Sequence, residues 1–171
     1  MRLNVNQLSI LVVDDHRFMQ QLMRVMLTGL GVKTVVAALT VDEGLRLLSS
    51  QKFDIVIADY LMGGTSGAEF MRLARSEHFQ GDRFVPIIAC TGDTTPRTIS
   101  ELRDAGADEI LCKPVSPRSL WNKIAAVANA RRRFVQAPNF FGPDRRRRVA
   151  TVRGKDRRVV DVEKVVDIEE V

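Results

Sequence analysis

The sequence predicts an α/β fold, a doubly wound, five-stranded parallel sheet with helices on both faces. Three observations lead there. Five short apolar runs rich in branched side chains recur through residues 8–112, each too short for a helix and too continuous for a strand with one wet face. A stretch with helical spacing follows each run. Four of the five runs end on polar residues able to do chemistry, and the crevice of such a sheet opens beyond the carboxyl ends of its strands.

Residues 8–13, LSILVV, end at Asp14 and Asp15 and read as the first buried strand. Phe18, Leu22, Val25 and Met26 give residues 17–30 helical spacing, and Gly29 and Gly31 stop that helix. Residues 34–38, TVVAA, form the second strand. A helix over residues 41–50 follows, with Thr40 as its cap before Val41, Asp42 and Glu43. Residues 53–58, FDIVIA, are the third strand and end at Asp59. The loop Met62-Gly63-Gly64-Thr65 then leads into a helix over residues 66–77. Residues 84–90, FVPIIAC, form the fourth strand, ending at Thr91, and residues 96–105 a helix closed by Gly106. Residues 109–112, EILC, are the fifth strand, ending at Lys113. Ser116-Pro117 opens a last helix that is expected to run to residue 133, with Leu120, Ile124 and Val127 facing the core and Trp121 partly exposed.

The net charge of +5 is unevenly spread. Residues 1–130 hold 14 basic and 14 acidic side chains, residues 131–158 hold 11 and 2, and residues 159–171 hold 1 and 5. A neutral body is thus followed by a basic segment and an acidic end, which is an interaction signal. The two cysteines, Cys90 and Cys112, sit in apolar runs and read as reduced, buried thiols rather than a disulfide framework. The opening residues MRLNVNQLSILVVDD lack the layout of a secretory leader, and no apolar run approaches the roughly 20 residues that span a bilayer. The expected location is the cytoplasm.

The polar strand ends point to phosphoryl chemistry. Asp14, Asp15 and Asp59 are expected at adjacent strand ends, where like charges repel unless a cation sits among them. Hard oxygen ligands suit Mg²⁺, and a carboxylate beside such an ion can act as a nucleophile. Lys113 supplies a point charge and Thr91 a short hydroxyl for the oxygens of a phosphoryl group.

With these motifs in place, residues 8–130 resemble the receiver domain of two-component response regulators. The resemblance rests on Asp14-Asp15 after the first strand, Asp59-Tyr60-Leu61-Met62 after the third, Gly67 eight residues beyond Asp59, Thr91-Gly92 after the fourth and Lys113-Pro114 after the fifth. It implies a flavodoxin-like strand order 2-1-3-4-5 and a stand-alone module like a chemotaxis regulator. It implies that Asp59 takes phosphate from a histidine kinase or phosphotransfer protein and loses it slowly, without enzymatic turnover. Mg²⁺ would be held by Asp15, Asp59 and the Leu61 backbone carbonyl, with Asp14 supporting, and Thr91 and Lys113 would bind the phosphoryl group. Two positions depart from the family. Gly63 stands where a proline is usual, and Ile110 stands where a switch aromatic is usual and cannot supply that ring's contacts.

The remaining residues read more plainly. His16 is expected to face solvent and His78 to lie in a polar loop. Residues 1–133 are expected to form the receiver, and residues 134–171 an arginine-rich extension. The extension has no legible helix-turn-helix or other recognised output domain. Arg131–Arg133 and Arg145–Arg148 suit nucleic acid, an acidic protein face or anionic lipid, or else a solvated extension. A G-x-D-R-R frame occurs at residues 142–146 and again at 154–158. Phe140-Phe141 beside Gly142-Pro143 reads as an anchor that docks on a surface, the body of this chain included, and the acidic end could fold back or pair with a second copy. Three functions follow: a signalling module acting through an effector protein, as monomer or homodimer; a DNA-associated transcriptional regulator using the basic tail; and a hydrolase using Asp59 covalently.

Overall fold

The computed structural model describes residues 5–129, 132–137, 140–144 and 164–166. Strands β1 (Ser9–Val13), β2 (Thr34–Ala38), β3 (Ile55–Asp59), β4 (Ile87–Thr91) and β5 (Glu109–Cys112) alternate with helices α1 (Arg17–Gly29), α2 (Val41–Ser50), α3 (Gly67–Arg75), α4 (Pro96–Asp104) and α5 (Pro117–Asn129). The strands are parallel in the order β2-β1-β3-β4-β5, which is the expected doubly wound sheet.

Each strand is apolar on both faces because both faces are covered. Leu11, Val13, Val56, Ala58, Ile87 and Ala89 look toward α2, α3 and α4, where Leu48, Phe70, Met71, Ala74 and Leu102 are buried against them. Their neighbours Ile10, Val12, Ile55, Ile57, Ile88 and Leu111 look toward α1 and α5, meeting Met23, Leu27, Leu120, Ile124 and Val127. Each fully buried side chain of this size contributes on the order of 1.5–3 kcal/mol.

Helix ends fall where short polar side chains satisfy open N–H groups. The Thr40 hydroxyl accepts from the Glu43 N–H at 3.2 Å, while the Glu43 carboxylate accepts from the Leu39 N–H at 2.8 Å. Ser66 accepts from the Glu69 N–H and Ser116 from the Ser119 N–H. Gly31 and Gly106, both at φ 98°, follow the ends of α1 and α4 in a conformation that disfavours side chains.

Several expectations need correction. The fourth strand begins at Ile87 rather than residue 84, because Pro86 has no N–H and enters the ladder only through its carbonyl, which accepts from the Val56 N–H at 2.8 Å. The third strand includes Asp59, and α5 ends at Asn129 rather than residue 133. Phe18, Leu22 and Val25, the spacing that identified α1, lie on its outer face, while Met23 and Leu27 face the sheet. Cys90 is buried as expected, but Cys112 is exposed. Cys112 pairs in register with Thr91, so the two thiols lie on opposite faces of the sheet. Trp121 is half-buried, as expected.

Beyond the helices, β6 (Phe134–Ala137), β7 (Phe140–Pro143) and β8 (Lys164–Val166) form a small antiparallel sheet in the order β8-β6-β7, which the sequence reading did not foresee. The Phe140-Phe141 segment docks on the body of the chain, one of the surfaces considered for it. The Phe141 ring lies 5.3 Å from Phe84 and 5.4 Å from Phe134, which is itself 5.0 Å from Phe84. The Arg83 guanidinium stacks 4.0 Å from the Phe141 ring. Beneath them Arg75, 3% exposed, donates to Asp108 at 3.0 Å and to the Gly106 carbonyl, and lies 5.0 Å from the Phe134 ring. These contacts sit at the starts of β4 and β5. Arg131, Arg145–Arg148 and the whole of the second G-x-D-R-R frame lie outside the described residues. Among the described residues no helix is long and apolar enough to cross a membrane.

Candidate functional site

The parallel register carries the predicted residues to one edge. Val13 pairs with Ala58, Asp59 with Cys90, and Thr91 with Cys112, so Asp14, Asp59, Thr91 and Lys113 emerge from four consecutive strand ends. Asp15 follows on the loop into α1.

Asp59 is 4% exposed, and its Oδ1 lies 2.7 Å from Lys113 Nζ. Burial pulls the Lys113 pKa down, but the hydrogen bond and charge of Asp59, helped by Asp14, more than offset it and hold the ammonium above its usual range. The Lys113 N–H donates to the Thr91 carbonyl at 2.8 Å, joining the ends of β4 and β5. The peptide that follows, Lys113–Pro114, is cis.

Asp14 is also buried, and its Oδ1 accepts from the His16 N–H at 2.8 Å. Burial raises its pKa, and the charges of Asp59 and Asp15 push the same way against that hydrogen bond and Lys113. Asp15 behaves oppositely. Its Oδ2 accepts from the Gly63 N–H at 2.5 Å, and this bond above all holds its carboxyl below the usual range. Asp15 Oδ1 is buried and makes no hydrogen bond of good geometry, but it lies 2.7 Å from His16 Nδ1, a contact that also helps hold the carboxyl low. The His16 side chain is otherwise exposed, as expected, and His78 is exposed too.

The Thr91 hydroxyl is engaged by the loop that follows it. It donates to the Asp93 carbonyl at 3.1 Å and accepts from the Asp93 N–H at 3.0 Å. Leu61, with an exposed side chain, opens a two-residue ladder in which it pairs with Ser66 and Met62 with Thr65. This returns the chain to α3 directly behind Asp59. A Cβ on Gly67 would fall 1.9 Å from the Asp59 carbonyl oxygen, so only glycine lets α3 start there.

Three supporting residues escaped the sequence reading. Gln20 donates through Nε2 to the carbonyls of Asp14 and Ala38, both at 2.8 Å, tying α1 to the ends of β1 and β2. Asp93 accepts from the Thr98 hydroxyl at 2.6 Å, fastening α4 to the loop that holds Thr91, and Tyr60 donates to Glu101 on the same helix at 3.0 Å. The only sequence signal for these was Asp93 two residues before Thr95, an Asx-turn spacing.

Three carboxylates around one ammonium leave the pocket negative. Carboxylate oxygens are hard ligands suited to a divalent cation, and the buried Asp15 Oδ1, which makes no hydrogen bond of good geometry, is what such an ion would satisfy. Ligating atoms of Asp14, Asp15 and His16 lie within 4.8 Å of one another. A buried carboxylate at a strand end, with an ammonium against it and a metal-competent cluster beside it, is suited to nucleophilic attack on phosphorus.

Comparison with known proteins agrees. The family model described as the response regulator receiver domain matches residues 10–125. The CAI-1 autoinducer sensor kinase/phosphatase CqsS of Vibrio cholerae is 36% identical over 118 residues, 68% of this chain. The chain spans 17% of that protein and 18% of the sensory/regulatory protein RpfC of Xanthomonas campestris, so it is similar to one part of each. Chemotaxis protein CheY of Pseudomonas aeruginosa is 27% identical, and the match covers 70% of this chain and 95% of CheY. Among solved structures, chemotaxis response regulator CheY4 of Vibrio cholerae superposes with a TM-score of 0.63 at 29% identity, covering 70% of this chain and 98% of that one. The receiver domain of sensor histidine kinase PA1611 from Pseudomonas aeruginosa, described with a magnesium ion coordinated in its active-site cleft, shares the fold at a TM-score of 0.64 and 24% identity, covering 72% and 98%.

Proposed function

The chain belongs to the response regulator receiver domain family of two-component signalling, and from that premise we propose that Asp59 is its phosphoacceptor. The observation that carries this reading is the Asp59–Lys113 contact of 2.7 Å in a buried acidic pocket. Asp59 attacks phosphorus, the bond from phosphorus to the donor histidine nitrogen breaks, and the new acyl phosphate stays on the chain instead of turning over. Lys113 moves from the carboxylate to a phosphoryl oxygen, and the Thr91 hydroxyl exchanges its bonds to Asp93 for another. Asp15, Asp59 and the Leu61 carbonyl would hold Mg²⁺, with Asp14 supporting, and the buried Asp15 Oδ1 that makes no hydrogen bond of good geometry supports this assignment. When bound, the ion neutralises charge on the phosphoryl oxygens.

The donor in this reading is a histidine kinase or phosphotransfer protein in the cytoplasm. Phe18, Leu22 and Val25 support it: they form an exposed apolar stripe on α1 that begins three residues past Asp15 and suits the apolar face of a partner helix. Residues 134–171 act as an accessory to the receiver, and the signal passes to an effector protein.

The test is reaction of the full chain with acetyl phosphate and Mg²⁺, read by intact mass. Wild type is expected to gain one acid-labile phosphate and Asp59→Asn none. A phosphate retained by Asp59→Asn would move the acceptor elsewhere.

A further inference from the structure

We propose that Gly63 is a positioning residue for the metal: its backbone N–H pins one oxygen of Asp15 and so holds the other, Oδ1, in place as a ligand. The inference rests on the Asp59 reading and extends it to a residue with no side chain of its own.

The two oxygens of Asp15 have different surroundings. Oδ2 is held at 2.5 Å by the Gly63 N–H, a contact across 48 residues of sequence. Oδ1 is buried, makes no hydrogen bond of good geometry and lies 2.7 Å from His16 Nδ1, on a ring that is itself exposed. The other contact of Asp15 is this ring, while the Asp15 side chain is 26% exposed and begins the loop into α1. Released from Gly63, it could swing out toward solvent together with that ring. A carboxylate with one oxygen fixed by a backbone hydrogen bond and the other facing only an exposed ring is a preorganised single-oxygen ligand, and such outer contacts commonly set metal affinity.

The donor is available because of the local backbone. Gly63 and Gly64 link the short strands Leu61–Met62 and Thr65–Ser66. Gly64 has φ 90°, whereas Gly63 is not at positive φ. A turn whose first central residue is not at positive φ and whose second is can take proline at the first and favours glycine at the second. Proline at residue 63 is therefore compatible with the turn and deletes the donor. Alanine keeps the donor and adds the same Cβ, 3.2 Å from Asp15 Oδ2, so it controls for crowding.

The experiment is calorimetric titration of the full chain with MgCl₂ at fixed pH and ionic strength, for wild type, Gly63→Ala and Gly63→Pro. Thermal melts in EDTA would confirm that each variant is folded. Gly63→Pro is expected to bind Mg²⁺ about 10-fold more weakly, and Gly63→Ala within about 2-fold of wild type. Equal affinity in Gly63→Pro, or an equal loss in Gly63→Ala, would overturn the proposal. A second measurement does not depend on the variants: the wild-type Gly63 amide should be protected from hydrogen exchange with and without Mg²⁺, and exchange at the unprotected rate in the Mg²⁺-saturated protein would also overturn it. If wild type binds Mg²⁺ but takes no phosphate, the Asp59 reading fails while the Gly63 result still stands.

Discussion

Asp14 is a residue the fold carries at a cost. Burial raises its pKa, so the folded state favours the protonated acid. Stability from such a group is fully present below its unfolded value of 3.8 and is lost as pH rises through the folded value. At neutral pH, without divalent ions, Asp14→Asn is therefore expected to raise the melting temperature. The gain should vanish in melts run below pH 3.8. Lys113 has the opposite role. Its raised pKa means that its contribution holds below 10.5 and is lost as pH rises through the folded value. Lys113→Ala leaves the buried Asp59 charge unpaired and should cost about 3 kcal/mol in chemical denaturation. Adding Asp59→Asn should recover most of that loss, which a double-mutant cycle would measure. The site carboxylates and Lys113 were legible because strand ends in a parallel sheet converge. The Gly63 N–H was not, because a sequence does not say which backbone amide meets which side chain across 48 residues.

At the level of elements, strands read better than helix faces. Branched apolar runs identify strands buried on both sides, but helical spacing shows only that residues share a face, not which face meets the sheet. In α1 both faces carry large apolar groups: Phe18, Leu22 and Val25 point out, Met23 and Leu27 point in. Boundaries shifted where hydrogen bonding overrode hydropathy, as at Pro86. The start of α3 was marked by Gly67, whose reason is steric. Gly67→Ala places a Cβ 1.9 Å from the Asp59 carbonyl oxygen and is expected to destabilise by about 3 kcal/mol or more, while displacing the phosphoacceptor strand end from α3. Reduced phosphate uptake and a lower denaturation midpoint in the same variant would show both effects. The Asp93 contacts to Thr91 and Thr98 give this chain a link from the site to α4 that does not use residue 110, where Ile110 carries no hydroxyl.

For the molecule as a whole, the extension is tied to the body. Phe134 is 1% exposed and lies over buried Arg75, so Phe134→Ala opens a cavity and removes the ring from a guanidinium. The expected loss is about 3–5 kcal/mol by thermal or urea unfolding. A truncation after residue 133 should be destabilised at least as much, so any test of the basic tail is better made with the chain intact. The Phe140-Phe141 anchor was legible from composition. The strands around it were not, because three- and four-residue strands are too short to show a period.

The hairpin rests at the starts of β4 and β5, whereas the acidic pocket opens at their ends. A five-residue strand at about 3.3 Å per residue puts roughly 17 Å of sheet between them. The molecule thus has two poles that do not compete for space. A protein bound at the hairpin pole leaves the pocket open, so a kinase could still load phosphate onto a chain already tethered elsewhere. Attachment and signal reception would then be separate events, in either order.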